Sequence, residues 1–199
     1  VKTVTTANII TMIRGMIGDA LKTDGRDSFQ YDQDASFQLS SEFVSSSTIT
    51  VYQNGTLLTL TDDYTYNNVL NTVTISATLV KNDDIIIPFS YYERYSDSEI
   101  LTFINGSLAQ FVVHKYEKYF YINDDDEIVA YDGINPTVQE ANVMALITAI
   151  AIDPKNINIK TRDFTITAEE NKSKSEQVND IFSQWTRTFG SVGFLETDD

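Results

Sequence analysis

The lone histidine, His114, stands between Val113 and Lys115 in a stretch of helical periodicity. The chain has no cysteine, so neither a disulfide nor a thiolate metal site can form. A metal at His114 would have to take every other ligand from carboxylates. His114 therefore reads as a surface or boundary histidine. The acidic run Asp124, Asp125, Asp126 and Glu127 raises calcium. An EF-hand loop needs oxygen donors at its first, third and fifth positions and glycine at its sixth. Counted from Asp124, the last two are Ile128 and Val129, so the run reads as a solvated loop. The pairs Asp62-Asp63 and Asp83-Asp84 fall in turn-forming stretches, where aspartate serves the backbone. No glycine-rich phosphate loop, nucleophile elbow or H-E-x-x-H pair is present. Asn54, Asn105 and Asn171 open N-x-Ser/Thr triplets. One of these is a hairpin turn and one lies in a predicted helix, and no secretion signal accompanies them, so no glycan is expected. The sequence thus predicts a chain that is not an enzyme, with no catalytic residue, no metal site and no cofactor.

What remains is recognition. Fourteen basic against twenty-nine acidic side chains give a net charge of −15, which disfavours a protein that grips phosphate backbones. Such charge keeps a protein soluble, and it would also let DNA pass a channel wall without adhering. A concealed duplex-binding stripe would have to come from Lys160, Arg162, Lys172 and Lys174. Tyr91, Tyr92, Tyr95, Tyr116, Tyr119, Phe120 and Tyr121 crowd together in the sequence. They either pack a junction between domains or present a contact face, since tyrosine is enriched at interfaces. Tyr116, Tyr119, Tyr121 and Trp185 are the candidates for a subunit interface. Residues 190–199 hold only Val192, Phe194 and Leu195 as apolar residues, beside Gly190 and Gly193. That composition predicts an extended arm that orders only against a partner. No apolar run approaches the ~20 residues that span a bilayer. The absence of cysteine fits assembly in a reducing cytoplasm, and the stretch Val1 to Thr6 lacks the apolar region of a signal peptide.

The elements that must position these residues follow from periodicity. Ile9, Ile10, Ile13, Met16 and Ile17 form one stripe of a helix over about residues 7–17. Thr5, Thr6 or Asn8 can cap its start, and Gly18 can take the left-handed position that closes it. The period then falls to two. Thr48 to Tyr52, the turn Asn54-Gly55 and Thr56 to Leu60 predict a hairpin. Tyr64 to Tyr66, Thr72 to Ser76 and Asp84 to Tyr92 add strands, with Ile85 to Ile87 buried on both faces and Pro88 at an edge or bulge. Helices resume at a capping box of Ser96 and Glu99. Their stripe (Ile100, Leu101, Ile104, Leu108, Phe111, Val112) extends through Tyr116 and Tyr119 or Phe120, predicting a long helix that ends before Asn123. A second box, Thr137 with Glu140, opens a helix from Val138 to Ile152 that is apolar nearly all round, as a bundle centre or a subunit face would be. After an extended stretch over Ile157 to Ile166, Ser173 and Glu176 box a last helix, with Val178, Ile181, Phe182, Trp185 and Phe189 on one side.

The fold class expected is α+β. A small α-helical bundle of about four helices spans residues 1–26 and 96–189, residues 27–95 form an inserted antiparallel β-sandwich or barrel, and 190–199 is the arm.

The pair "IRGMIGD" (residues 13–19) and "YSDSEI" (residues 95–100) resembles the head–tail adaptor, or connector, proteins of long-tailed bacteriophages. In that family the two pieces stand close together in sequence, so the β-region here is an insertion. The resemblance covers roughly residues 9–26 and 95–189. It implies a structural virion protein at the neck, assembled in the host cytoplasm. Such a protein is a closed homo-oligomeric ring, usually of twelve subunits, beneath the portal protein. It joins the capsid vertex to the tail or a stopper or terminator protein, while genomic DNA passes through its channel without specific binding and no membrane is involved. It also implies that the arm, through Val192, Phe194 and Leu195, engages the portal. The alternative from another class is a carbohydrate- or host-surface-binding β-module of a phage tail or neck protein, with clustered Tyr and Asp taking the sugar.

Overall fold

The structure, a computed structural model, describes residues 4–154 and 172–185, and the backbone of 157–160, 165–168 and 186–189. The chain folds into two compact units, one of residues 1–18 with 97–199 and one of residues 19–96. The class is mixed α+β, with four helices and antiparallel sheets among the described residues.

In the helical unit, α1 runs Thr6–Ile17 and buries Ile9, Ile10, Ile13 and Ile17. Thr5 is its N-cap, in a reciprocal box with Asn8, and Gly18 (φ 72°) closes it in the left-handed region that glycine adopts without strain. Helix α2 runs Asp97–Val113 and buries Ile100, Ile104, Leu108 and Phe111. It stops there, short of the long helix the stripe predicted. Lys115 turns to positive φ (53°), and the amide of Tyr116 reaches back to the carbonyl of Phe111 at 2.9 Å. The next residues form a two-stranded hairpin, β9 (Phe120–Ile122) with β10 (Ile128–Ala130). Tyr116, Tyr119 and Phe120 mimic helical spacing, but Phe120, Ile122, Ile128 and Ala130 alternate, and the alternation prevails. Helix α3, Val138–Ile152, is the centre of this unit: Val143 to Ile150 are all buried, and it packs on α1, α2 and α4 (Lys174–Phe189). The predicted boxes form at both α3 and α4. The amide of Thr137 donates to Glu140 Oε2 at 2.7 Å, and that of Ser173 to Glu176 Oε2 at 2.8 Å. Strands β11 (Ile157–Lys160) and β12 (Thr165–Ala168) pair antiparallel between α3 and α4.

Two threads tie α1 into its unit across long stretches of sequence. The amide of Val4 donates to the carbonyl of Pro136 at 3.0 Å. Thr6 donates through its amide (3.1 Å) and hydroxyl (2.7 Å) to Glu127 Oε2, while its hydroxyl accepts from the amide of Ile128 at 2.7 Å. The Glu127 carboxylate thus lies against the first turn of α1, where the helix dipole favours negative charge.

The β-unit begins earlier than the sequence predicts, so the expected boundary at residue 26 falls inside its first strand. Strand β1, Lys22–Gln30, is polar and carries no apolar alternation, which is why it escapes a pattern search. It holds its place by backbone pairing along the isoleucine-rich β8 (Asp84–Tyr92). The predicted hairpin forms as β4 (Tyr52–Gln53) and β5 (Thr56–Leu57), with Asn54 and Gly55 at φ 51° and 81° as a type I′ turn requires. One sheet runs β1-β8-β4-β5, with β3 (Phe43–Val44) also on β8, and a second runs β2 (Ser36–Gln38), β7 (Thr72–Ile75), β6 (Tyr64–Asn67). Phe37, Val51, Tyr64, Val73, Ile75, Ile85, Ile87 and Phe89 form one core from both. The sheets are not closed, and the expected sandwich or barrel is not formed. Strands β3, β4 and β5 are two residues long and leave no second full layer.

Pro88 is not at an edge, because β8 has neighbours on both sides. It is tolerated because β3 and β4 leave a gap on one flank, filled by a 3-10 turn at Ser46–Thr48. There Thr50 donates to the Pro88 carbonyl (3.1 Å) and Thr48 Oγ1 receives the amide of Ser90 (2.8 Å). The regular ladder is interrupted there, which is where a residue without an amide hydrogen is tolerated. Asp83 closes the β4–β5 end by accepting from the amide of Val80 (2.8 Å), Asn54 Nδ2 (2.7 Å) and Gln53 Nε2 (2.6 Å). These bonds hold its carboxyl below the ordinary aspartate range.

Two glycines make opposite predictions. A Cβ on Gly25 would lie 2.5 Å from the Phe89 ring and 2.8 Å from its carbonyl, whereas one on Gly106, inside α2, would meet nothing within 4 Å. Gly25→Ala should destabilise the protein by about 1–3 kcal/mol through overpacking. Gly106→Ala should stabilise it by about 0.5–1 kcal/mol by restricting the unfolded chain. Urea unfolding of the two variants checks both signs.

Candidate functional site

The hairpin β9–β10 sorts its aromatic residues onto two faces, since alternate side chains of a strand point opposite ways. Phe120, Ile128 and Ala130 point inward and are buried. Tyr119 and Tyr121 point outward, 47% and 45% exposed, and are joined by Tyr131 at 86%, whose amide donates to the Tyr119 carbonyl at 3.0 Å. Ile134 and Val138, a few residues further along the chain, are exposed as well. Tyr119, Tyr121 and Tyr131 thus share one face of the hairpin as an aromatic patch, a kind of surface that marks contact sites.

The turn of this hairpin is the acidic run. Asp126 takes positive φ (58°), and Asn123 Oδ1 accepts from the amides of Asp125 (3.0 Å) and Glu127 (2.9 Å). Asp and Asn are there because they tolerate and satisfy such a turn. Among the described residues no group of His, Cys, Asp or Glu could hold a metal ion, and no helix is long and apolar enough to cross a membrane.

Beneath the patch, Phe111 is the hub of an aromatic cluster. Its ring lies 5.6 Å from Tyr116, 5.3 Å from Phe120, 5.4 Å from Phe182 and 5.8 Å from Trp185, each in an edge-on arrangement. His114 stacks on Phe182 at 4.1 Å, and burial lowers its pKa, so it stays neutral further down in pH. Tyr116 and Trp185 are 8% and 4% exposed. These two interface candidates are therefore corrected to core residues: their rings are consumed by packing within the chain. Tyr119 and Tyr121 stay available, and Tyr131 joins them. The signal that could have found Tyr131 is its register opposite Tyr119, which becomes visible only once a hairpin replaces the predicted helix.

The hydroxyl of Tyr116 donates to Glu140 Oε1 at 2.7 Å, as does Lys118 Nζ at 2.9 Å. Burial pushes the Tyr116 phenol well up, helped by that carboxylate. For Glu140 burial acts to raise the pKa, but the donors from Thr137, Tyr116 and Lys118 outweigh it and hold the carboxyl below its usual range.

A second surface is a cleft of about 380 Å³ between α2, α3 and α4. Its lining includes buried Ile147 and Ile150, half-buried Val178, and exposed Phe103 and Gly106, with Lys174 at its margin. Lys174 Nζ donates to the carbonyl of Ala151 at 2.6 Å, and Lys172 pairs with Asp180 at 2.6 Å. Lys160 and Arg162, the other members of the imagined DNA-binding stripe, have side chains outside the described residues, as do Val192, Phe194 and Leu195 of the arm. In the β-unit every tyrosine is buried or half-buried. Tyr64 donates to the carbonyl of Ile49 (3.0 Å) and Tyr66 to Asn71 Oδ1 (2.8 Å).

The two halves of the split signature meet directly. Arg14 Nη2, from "IRGMIGD", donates to Asp97 Oδ1, from "YSDSEI", at 2.6 Å, with Arg14 only 4% exposed. The last residue of the first half, Asp19, accepts from the amides of Glu93 (3.2 Å) and Arg94 (3.3 Å) within the β-unit. No protein-family model matches the sequence, and no curated protein matches it either.

Acid should loosen this site through Glu140. Because its folded pKa is depressed, the stability it contributes is present above the ordinary carboxylate pKa of about 4.3 and is lost as pH falls through the folded value. Unfolding followed by Trp185, the only tryptophan, should show this acid loss in the parent. Glu140→Gln should flatten it, and Glu140→Ala should cost about 2–4 kcal/mol at neutral pH by stranding its donors.

Proposed function

We propose that this chain is a structural subunit of a phage neck, a head–tail adaptor whose copies close into a ring beneath the portal and pass DNA toward the tail. The observation that carries the reading is the Arg14–Asp97 bond, which joins the two halves of the adaptor-like signature although residues 19–96 separate them. In an adaptor the two pieces follow one another in the chain. Here the bond gives them the same neighbourhood in the helical unit. Twelve copies is the number the resemblance implies.

The exposed tyrosines supply a second support. A ring subunit must offer a contact surface to its neighbour, and Tyr119, Tyr121 and Tyr131 are large, stiff and amphipathic groups suited to one. The acidic balance of the chain agrees with a conduit that DNA crosses without adhering. Lys172 and Lys174, two of the four basic residues that could have made a phosphate-gripping stripe, already have partners within the chain.

Light scattering of the purified chain at rising concentration tests the reading. The expected mass is that of a closed ring, a fixed multiple of 22.4 kDa. Tyr119→Asp with Tyr121→Asp should reduce it to the protomer while leaving the Trp185-reported stability within about 0.5 kcal/mol, as exposed substitutions do. A parent that stays monomeric at every concentration, alone and with portal, would sink the proposal.

A further inference from the structure

We infer that the cleft between α2, α3 and α4 is a receptor for residues 190–199 of a neighbouring copy, with Phe194 and Leu195 seated on its apolar floor. The assignment rests on the ring reading, and it places the arm on a second copy of this chain where the sequence resemblance points to the portal.

Three features select this occupant. The first is chemical fit. Ile147, Ile150 and Val178 give the cleft an aliphatic floor, Phe103 an aromatic wall, and Gly106 a stretch of wall with no side chain, over which an aromatic ring can lie. Residues 190–199 carry one aromatic–aliphatic pair and few other apolar groups. The second is charge. Glu196, Asp198 and Asp199 follow that pair directly, and Lys174 stands at the cleft with one proton on the Ala151 carbonyl and others left to donate. Most of the chain would repel such a segment: residues 1–153 hold twenty-one Asp and Glu against eight Lys and Arg, whereas residues 154–189 hold five against six. Lys174, Ser175 and Val178, which line the cleft, belong to that less acidic stretch.

The third feature is reach, and it separates a neighbour's segment from the chain's own. Helix α4 enters the cleft at Lys174 and Val178 and leaves it behind, ending at Phe189. From Val178 to Phe189 is about 17 Å along the helix axis. The five residues from Phe189 to Phe194 span at most about 18 Å when fully extended. A chain returning to its own cleft would spend nearly all of that length running straight back, leaving about 1 Å to turn the helix end and cross sideways. A neighbour faces no such limit. A segment leaving one subunit for a different surface of the next is a head-to-tail contact, the kind that closes rings when the rotation permits.

Cross-linking of the full chain tests this, since the natural sequence has no cysteine to interfere. In the Gly106→Cys/Phe194→Cys variant, oxidation should give a ladder of covalent multimers on a non-reducing gel, while either single variant stops at dimers. A labelled peptide of residues 190–199 should bind the full-length Phe194→Asp variant saturably. Adding Gly106→Leu, which fills the cleft from a position where a side chain meets nothing, should weaken that binding at least ten-fold with Trp185 fluorescence unchanged. An internally closed monomer, no cross-link, or peptide binding indifferent to Gly106→Leu each overturns the inference. A parent with ring mass but no cross-link removes the cleft assignment alone, and a monomeric parent removes the ring reading with it.

Discussion

The ion pair between Arg14 and Asp97 is the constraint on which the helical unit depends. Arg14 occupies the last turn of α1 and Asp97 the first turn of α2. Each charge is of the sign that its own helix end favours, so one 2.6 Å contact answers two helix dipoles as well as the Coulomb attraction. Arg14 is almost wholly buried and Asp97 largely exposed. The pair therefore lacks the full desolvation cost of a buried bridge, yet its cation is held where an unanswered charge would be expensive. Between the two residues the chain leaves to build an entire β-unit and returns. A helix of twelve residues such as α1 is marginal by itself. It persists because Ile9, Ile13 and Ile17 reach α3, and because Arg14, Thr6 and Val4 are each tied to residues far along the chain.

The same logic runs through the rest of that unit. Glu140 both caps α3 and receives Tyr116 and Lys118, so the helix start and the aromatic cluster are set by one carboxylate. Phe111 sits among four other rings, and the hairpin after α2 lays Phe120 on that cluster while turning Tyr119, Tyr121 and Tyr131 outward. The inward half of the aromatic content packs the unit, and the outward half stays exposed. The β-unit keeps its own core and its own polar closures at Asp83 and Thr48.

Much of this was legible in the residues, and the exceptions have physical causes. The caps at α1, α3 and α4, the closure by Gly18 and the Asn54-Gly55 hairpin follow from local chemistry that tertiary structure did not override. Helix α3 was legible as a bundle centre because its apolar residues have no preferred side. Strand β1 was not, because Lys22 to Gln30 has no apolar face and is recruited by β8. The hairpin at 120–130 was hidden because Tyr116, Tyr119 and Phe120 match helical spacing by coincidence, and the deciding signal lay ten residues later in Ile128 and Ala130. The hairpin register separates inward Phe120 from outward Tyr119 and Tyr121, whereas Tyr116 and Trp185 are buried by the aromatic cluster around Phe111, which no local pattern reveals. Of the two places its residue type allows Pro88, an edge or a bulge, the edge is excluded by neighbours on both sides of β8, and the proline sits at the irregularity between β3 and β4.

A double-mutant cycle at Arg14 and Asp97 tests most directly that the two halves of the split signature make one helical unit. Arg14→Met keeps most of the apolar stem, Asp97→Ala removes the carboxylate, and the fluorescence of Trp185 in urea reports that unit because the chain has no other tryptophan. Each single variant should lose about 1–3 kcal/mol, and the pair should show a coupling of about 1–2 kcal/mol, since the second change finds the contact already gone. Losses that add to within about 0.3 kcal/mol would mean that Arg14 and Asp97 act separately and that the clasp across the β-unit does not hold the helices together.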